Sequence, residues 1–294
     1  KKKRRPSKWG QKKKKKTSRF TATGSLLGTY ITDKVEQGEK PDDKRRLSPA
    51  VSLSWRPFSE STLRIRASYK DIFRVPTFTD LYYLRMGNTN LKPEETSQYN
   101  VGVTWSSSCG DWLRHFSISA DGYYNTVKDK IVALPTMYVW KMMNMGEVDI
   151  KGVDVNLSTQ FRLPLRMSLL LASTYSFQYA VDVTDPEAKN YKDQIPYTPR
   201  HSGTVSVTLE NPWVNVSYIL TAVGDRYALP QNIDRNRIDS YIEQSISINR
   251  DFRFRYFGLR LQGELLNLAN VNYDVIQYYP MPGRSWRLSI CLSY

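Results

Sequence analysis

No stretch of this 294-residue chain approaches 18 consecutive apolar residues, so it offers no membrane-spanning helix. That absence leaves a strand-built membrane protein open. Barrel strands alternate lipid-facing and lumen-facing residues, so a mean hydropathy of −0.53 looks soluble either way. Cysteine is nearly missing: Cys109 and Cys291 lie far apart, without a CxxC pair, which argues against a disulfide scaffold or a zinc site, and both read as free thiols. Only two histidines occur, His115 and His201. With no Ser-His-Asp set, no phosphate-cradling glycine loop and no paired carboxylates, the sequence points to no enzyme and no cofactor.

Acidic residues are absent from positions 1–19, which hold twelve of the net +15 charges. Residues 20–294 are left with only +3. The basicity belongs to an end of the chain, not to its body. Self-repulsion predicts that 1–19 is a disordered basic tail, either a polyanion-binding arm or an artefact of truncation. Nothing downstream resembles a nucleic-acid module, so no nucleic-acid partner is expected.

What is present is alternation. From Ser285 to Tyr294, Trp286, Leu288, Ile290, Leu292 and Tyr294 fall on one face, while Ser285, Arg287, Ser289, Cys291 and Ser293 fall on the other. Eleven earlier segments, beginning at Phe20, show the same period of two, with no convincing helix between them. The connections are long at 33–46, 72–95, 128–147, 181–199, 225–237 and 269–282. They are tight at 57–61, 107–111, 161–165, 210–212 and 250–254. Strict long–short alternation fits a transmembrane barrel, with tight turns facing the periplasm and long loops facing outward. The expected fold is therefore all-β, an antiparallel transmembrane β-barrel portion of about twelve strands, with outer-membrane lipid against its apolar face. The competing reading is a secreted or surface β-domain acting as a binding or adhesion module.

Four motif blocks then narrow the class. Phe73-Arg74-Val75-Pro76-Thr77-Phe78-Thr79-Asp80-Leu81-Tyr82-Tyr83, followed by Gly87-Asn88 and Leu91-Lys92-Pro93-Glu94, resembles a hallmark block of TonB-dependent outer-membrane receptors. Asn144-Met145-Gly146 with Ile150-Lys151-Gly152-Val153-Asp154, and Ile195-Pro196-Tyr197-Thr198-Pro199-Arg200-His201, are similar to strand entries of that family. Leu266-Asn267-Leu268-Ala269-Asn270-Val271-Asn272-Tyr273, closing in Pro280-Met281-Pro282-Gly283-Arg284, is similar to its last block. These motifs look mainly structural, with Arg74 and Arg284 able to touch ligand or plug. The resemblance implies a 22-stranded barrel around an N-terminal plug, importing a scarce ligand with TonB-supplied energy from the cell outer membrane. Residues 20–294 would be the C-terminal portion of that barrel. The plug and first barrel half are expected as missing partners, and the TonB complex would be reached through them.

Within that resemblance, aromatic and basic residues of the long loops are the candidate ligand contacts: Tyr82, Tyr83, Tyr138, Trp140, Lys141, Arg226, Tyr227, Arg235, Tyr278 and Tyr279. Met137, Tyr191, Lys192 and Arg237 accompany them. Flat rings and anionic groups suit such residues, so an iron-siderophore, cobalamin or haem-like ligand is expected, with haem disfavoured by the scarcity of histidine. The face Trp286, Leu288, Ile290, Leu292 and Tyr294 resembles the C-terminal signal recognised by barrel-assembly machinery.

Overall fold

The computed structural model describes residues 3–16, 19–34, 43–58, 62–135 and 138–294. The strands are β1 (Lys3–Lys16), β2 (Phe20–Lys34), β3 (Lys44–Trp55), β4 (Arg64–Arg74), β5 (Glu94–Cys109), β6 (Leu113–Pro135), β7 (Trp140–Leu163) and β8 (Met167–Asp182). They continue as β9 (His201–Glu210), β10 (Asn215–Val223), β11 (Arg226–Tyr227), β12 (Arg237–Ile238), β13 (Tyr241–Arg253), β14 (Gly258–Leu266), β15 (Asp274–Ile276), β16 (Tyr279–Pro280) and β17 (Ser285–Ser293). The main sheet has 13 strands in the order β1-β2-β3-β4-β5-β6-β7-β8-β9-β10-β13-β14-β17, and β11-β12 and β15-β16 form two small ribbons in the loops. Main-sheet neighbours follow one another along the chain, as hairpin connection of antiparallel strands allows.

The twelve expected strands are all present, and four expectations are corrected. The basic segment is not a loose tail: Lys3–Lys16 is β1, paired with β2 from Lys3↔Lys34 to Lys16↔Thr21. Ladder bonds run through the backbone, so a strand edge can template even a charged partner, and Pro6 is tolerated at the end of the strand order. The long connection expected at 128–147 is mostly ladder, because β6 and β7 reach Pro135 and start at Trp140. Sequence turn signals there are interior to a long hairpin. A helix does occur, α1 (Phe78–Tyr82), with a 3-10 turn at Asp234–Asn236. Cys109 closes β5 and does not sit in a turn. Met137 lies outside the described residues.

Burial is inverted relative to a soluble sheet. The apolar rows of the strands stay exposed: Tyr99, Val101, Val103 and Trp105 on β5, and Leu288, Ile290 and Leu292 on β17 at 64% each. The opposite faces are polar and cross-linked between strands, as in Thr208–Ser217 at 2.9 Å, Ser176 to Asp154 at 2.5 Å and the pair of Arg287 with Glu264. The chain falls into two compact units. The first comprises 1–103, 122–151 and 182–186; its buried apolar cluster is Leu81, Leu91 and Ile131, with Tyr82 and Met142 packed on it. The second comprises 104–121, 152–181 and 187–294; its buried set includes Ala180, Val181, Ile195, Ala228 and Ile238. In both, the buried residues belong largely to loops and strand ends. The strand bodies keep their apolar side outward.

Candidate functional site

In the first unit, the loop after β4 is held by its own side chains. Thr77 and Asp80 form a capping box at the start of α1: the Asp80 amide donates to Thr77 Oγ1 (3.1 Å), and the Thr77 amide to Asp80 Oδ2 (2.8 Å). Arg74 lies 3.7 Å from Asp80 and 3.4 Å from Glu94, so its guanidinium ties the strand end to the helix cap. The Asn88 side chain donates to the Met142 carbonyl at 3.1 Å, and Asn144 Oδ1 accepts from the Lys92 amide at 2.8 Å. These bonds fasten the loop to the β6–β7 hairpin. Gly146 is required by closeness, since a Cβ there would stand 2.3 Å from Thr184 Cγ2. The motif residues Arg74, Asn144 and Gly146 thus build the scaffold. Tyr82 packs over the small core, whereas Tyr83 is exposed, and Tyr138 (91% exposed) and Lys141 project from the tip of the β6–β7 hairpin. Trp140 is half-buried at the start of β7.

In the second unit, three long connections interlock. Gln194 is 2% exposed, and its amide nitrogen donates to the carbonyls of Gln178 and Thr198 (both 3.2 Å). Its backbone amide donates to Asn232 Oδ1 at 2.7 Å, while Asn232 Nδ2 returns a bond to the Gln194 carbonyl at 3.0 Å. That reciprocal pair joins the β8–β9 loop to the β10–β13 loop. The next joint is Arg226, 4% exposed, whose Nη2 donates to the carbonyls of Asp274 (2.5 Å) and Val275 (3.2 Å) in the β14–β17 loop. Its guanidinium also lies over the Tyr241 ring, which stacks on Tyr273 at 4.0 Å. The Tyr273 hydroxyl donates to Glu243 Oε2 at 2.5 Å. Burial, and then the neighbouring Glu243 carboxylate, raise the Tyr273 phenol well above its ordinary range. Tyr197 is raised too, because desolvation outweighs its bond with the Gln277 backbone and the Arg226 charge.

Arg226, expected as a ligand contact, is therefore a buried joint. Tyr227 is half-buried beside it on β11, and its carbonyl accepts from the Tyr197 amide at 2.7 Å. Arg235, Tyr278 (80% exposed) and Tyr279 project from the loop surface, and Gln277 Nε2 donates to the Arg235 carbonyl at 3.3 Å. Lys192 sits over the Tyr191 ring at 5.2 Å. A pocket of about 270 Å³ opens among Arg237, Asp239, Asn272, Tyr273, Gln277 and Tyr278. It is polar, holds one cation against two carboxylates, counting Asp274 at its wall, and is near the lower size limit for small-molecule sites. No spacing signature marks Gln194 or Asn232, and the closing motif block that ends at Tyr273 does not reveal its stack on Tyr241 or its bond to Glu243. Among the described residues no cluster of His, Cys, Asp and Glu could hold a metal ion. Arg284 also serves the frame: its Nε (3.0 Å) and Nη2 (2.6 Å) donate to the Leu268 carbonyl, and its amide to Asn270 Oδ1. Gly283 fits because a Cβ would lie 2.7 Å from that same Oδ1.

An antiparallel sheet with its apolar rows exposed, tight turns alternating with cross-braced long connections, is the layout of part of a transmembrane barrel wall. The family model for the TonB dependent receptor-like β-barrel matches residues 12–268, so the chain belongs to the TonB-dependent receptors of the outer membrane. It is 27% identical over 236 residues to a "Vitamin B12 transporter BtuB" of Photobacterium profundum, covering 77% of this chain and 34% of that protein. Its fold is similar to the ferric citrate transporter FecA in its unliganded form, with a TM-score of 0.73 at 12% identity over 99% of this chain and 45% of that one. It is likewise similar to BauA, the ferric preacinetobactin receptor from Acinetobacter baumannii, with a TM-score of 0.73 at 13% identity, over 97% and 42% of the two chains. The chain spans about a third of the length of the curated relatives it matches. These relatives are transporters and receptors, not enzymes.

Proposed function

We propose that this chain is the C-terminal barrel portion of a receptor that imports a scarce, bulky ligand, an iron-siderophore or a cobalamin-like corrinoid, with energy supplied through TonB. One observation carries the reading: three interlocked loops in the second unit present Arg235, Tyr278 and Tyr279 as exposed side chains on a braced frame. Frame and contacts are different residues. Arg226, Gln194 and Asn232 hold the loops, while exposed rings and cations meet the ligand, as recognition of a flat, anionic chelate needs. In the first unit Tyr83, Tyr138 and Lys141 offer the same chemistry. Names of relatives that transport vitamin B12 or ferric chelates point the same way. The barrel's plug, the TonB complex and the barrel-assembly machinery are the partners this reading requires.

The test is uptake in cells of radiolabelled cyanocobalamin and of ferric citrate, with the intact gene, its deletion, and the Arg235→Ala/Tyr278→Ala/Tyr279→Ala variant. The expected result is that one probe loses TonB-dependent uptake in the deletion strain, and at least tenfold in apparent affinity in the variant. Uptake of every ferric chelate and corrinoid tried that is indifferent to the deletion overturns import. A protein that stays monodisperse and β-rich without detergent would overturn the membrane placement itself.

A further inference from the structure

The two ends of the second unit differ in charge. Its long loops, 187–200, 224–240 and 267–284, hold seven basic and six acidic side chains. Its tight-turn end, 111–114, 162–166, 210–214 and 250–260, holds seven arginines, no lysine and three carboxylates. Asp251 neutralises Arg260 through a two-pronged pair at 2.6 and 2.9 Å. The other six, Arg114, Arg162, Arg166, Arg250, Arg253 and Arg255, are exposed and make no ion pair among the described residues.

Aromatic rings are interleaved with these cations. Arg250 lies over Phe252 at 4.8 Å and Arg255 over Tyr256 at 5.6 Å. Phe254 stacks on Phe257 at 4.6 Å, and Trp112 on Phe161 at 5.7 Å. Trp213 at the β9–β10 turn is exposed. The pairing Phe252↔Leu259 and Arg250↔Leu261 puts Arg250 and Phe252 on the same apolar face that meets lipid. An arginine on a lipid-facing row, close to the turn and resting on a ring, sits where hydrocarbon gives way to headgroups.

We propose that the tight-turn end of the second unit is a binding surface for anionic phospholipid headgroups of the inner, periplasmic leaflet, of the phosphatidylglycerol type. The arginine fork matches a phosphodiester's oxygens while the guanidinium plane keeps its aromatic stack, a combination lysine does not offer. The exposed rings sit at the headgroup boundary and orient the forks toward phosphate. Tight turns of such barrels face the periplasm, which fixes the leaflet. The inference rests on the outer-membrane placement and not on import, so loss of ligand uptake leaves it standing.

The experiment exchanges the purified full-length receptor into bicelles of equimolar phosphatidylglycerol and phosphatidylcholine, re-isolates it, and measures retained lipid by mass spectrometry. Phosphatidylglycerol is expected to be retained about threefold over phosphatidylcholine at low salt, falling to near parity at about 0.5 M salt, where the Debye length shrinks to several ångströms. Arg114→Gln/Arg250→Gln/Arg255→Gln should stand near parity even at low salt, with heat-modifiable migration retained. Should that variant fail to fold, the single turn change Arg255→Gln is expected to lower the enrichment by about a third. Lys189→Gln/Lys192→Gln/Arg200→Gln, at the loop end, should keep it. Parity in the unaltered protein, enrichment untouched by the tight-end changes, or equal loss from the loop-end variant would each overturn the proposal.

Discussion

Arg226 and Gln194 illustrate how a polar side chain in a receptor loop can be architectural. Each is buried, and each donates to two backbone carbonyls, Gln194 to those of Gln178 and Thr198 and Arg226 to those of Asp274 and Val275. Gln194→Leu keeps the volume and removes the side-chain bonds to Gln178, Thr198 and Ala180. The expected cost is about 2 kcal/mol, seen as a roughly 30-fold loss of hydrogen-exchange protection at the Ala180 and Asn232 amides. Tyr273 makes a pH-dependent contribution whose sign is fixed by its raised phenol. The folded loop favours the protonated ring, so that stabilisation is intact below the unfolded value of about 10 and disappears as pH climbs above it. Tyr273→Phe should lose about 1 kcal/mol at neutral pH, where Glu243 Oε2 loses the phenol donor, and should show a shallower alkaline loosening of the 267–284 loop in limited proteolysis.

At the scale of elements, α1 is five residues long and would not persist without its cap. Thr77→Ala removes the Oγ1 acceptor and is expected to cost about 1 kcal/mol, read as faster exchange of the Asp80 and Leu81 amides with the β4–β5 sheet signals unchanged. The β6–β7 hairpin teaches the opposite lesson. Residues 128–147 carry turn-like composition, yet β6 and β7 run through most of them, and the Asn144 side chain bonds the carbonyls of Lys92 (3.1 Å) and Asp129 (2.7 Å). The last strand, β17, pairs with β14 from Leu266↔Ser285 to Gly258↔Ser293, and its apolar row stays uncovered. Tyr294, beyond the ladder, is fully exposed. Tyr294→Asp should reduce the heat-modifiable, folded fraction recovered from membranes severalfold while leaving ligand affinity of the assembled fraction unchanged, in keeping with a role in barrel assembly.

For the whole molecule, twelve of the thirteen main-sheet strands and their apolar rows were legible in the sequence because a period of two is set by backbone geometry alone, residue by residue; β1 and the two loop ribbons were not. The family was legible as well, through motif blocks in which Arg74, Asp80, Asn144, Gly146, Asn267 and Gly283 hold loops and strand ends together, some of them across tens of residues. The candidate contacts were legible only as a composition. Nothing in the spacing of Arg226 and Arg235 separates them, yet one is buried against the carbonyls of Asp274 and Val275 and the other is exposed. Charge misled at Lys3–Lys16 because self-repulsion acts on side chains, whereas the β2 edge offers backbone partners that composition cannot express. Periodicity and motif order were enough for twelve main-sheet strands, their apolar faces and the outer-membrane class, which are short-range or periodic properties. Which loop residues brace and which are presented, and which arginines make no ion pair among the described residues, follows from contacts between segments tens of residues apart and is visible only in the fold.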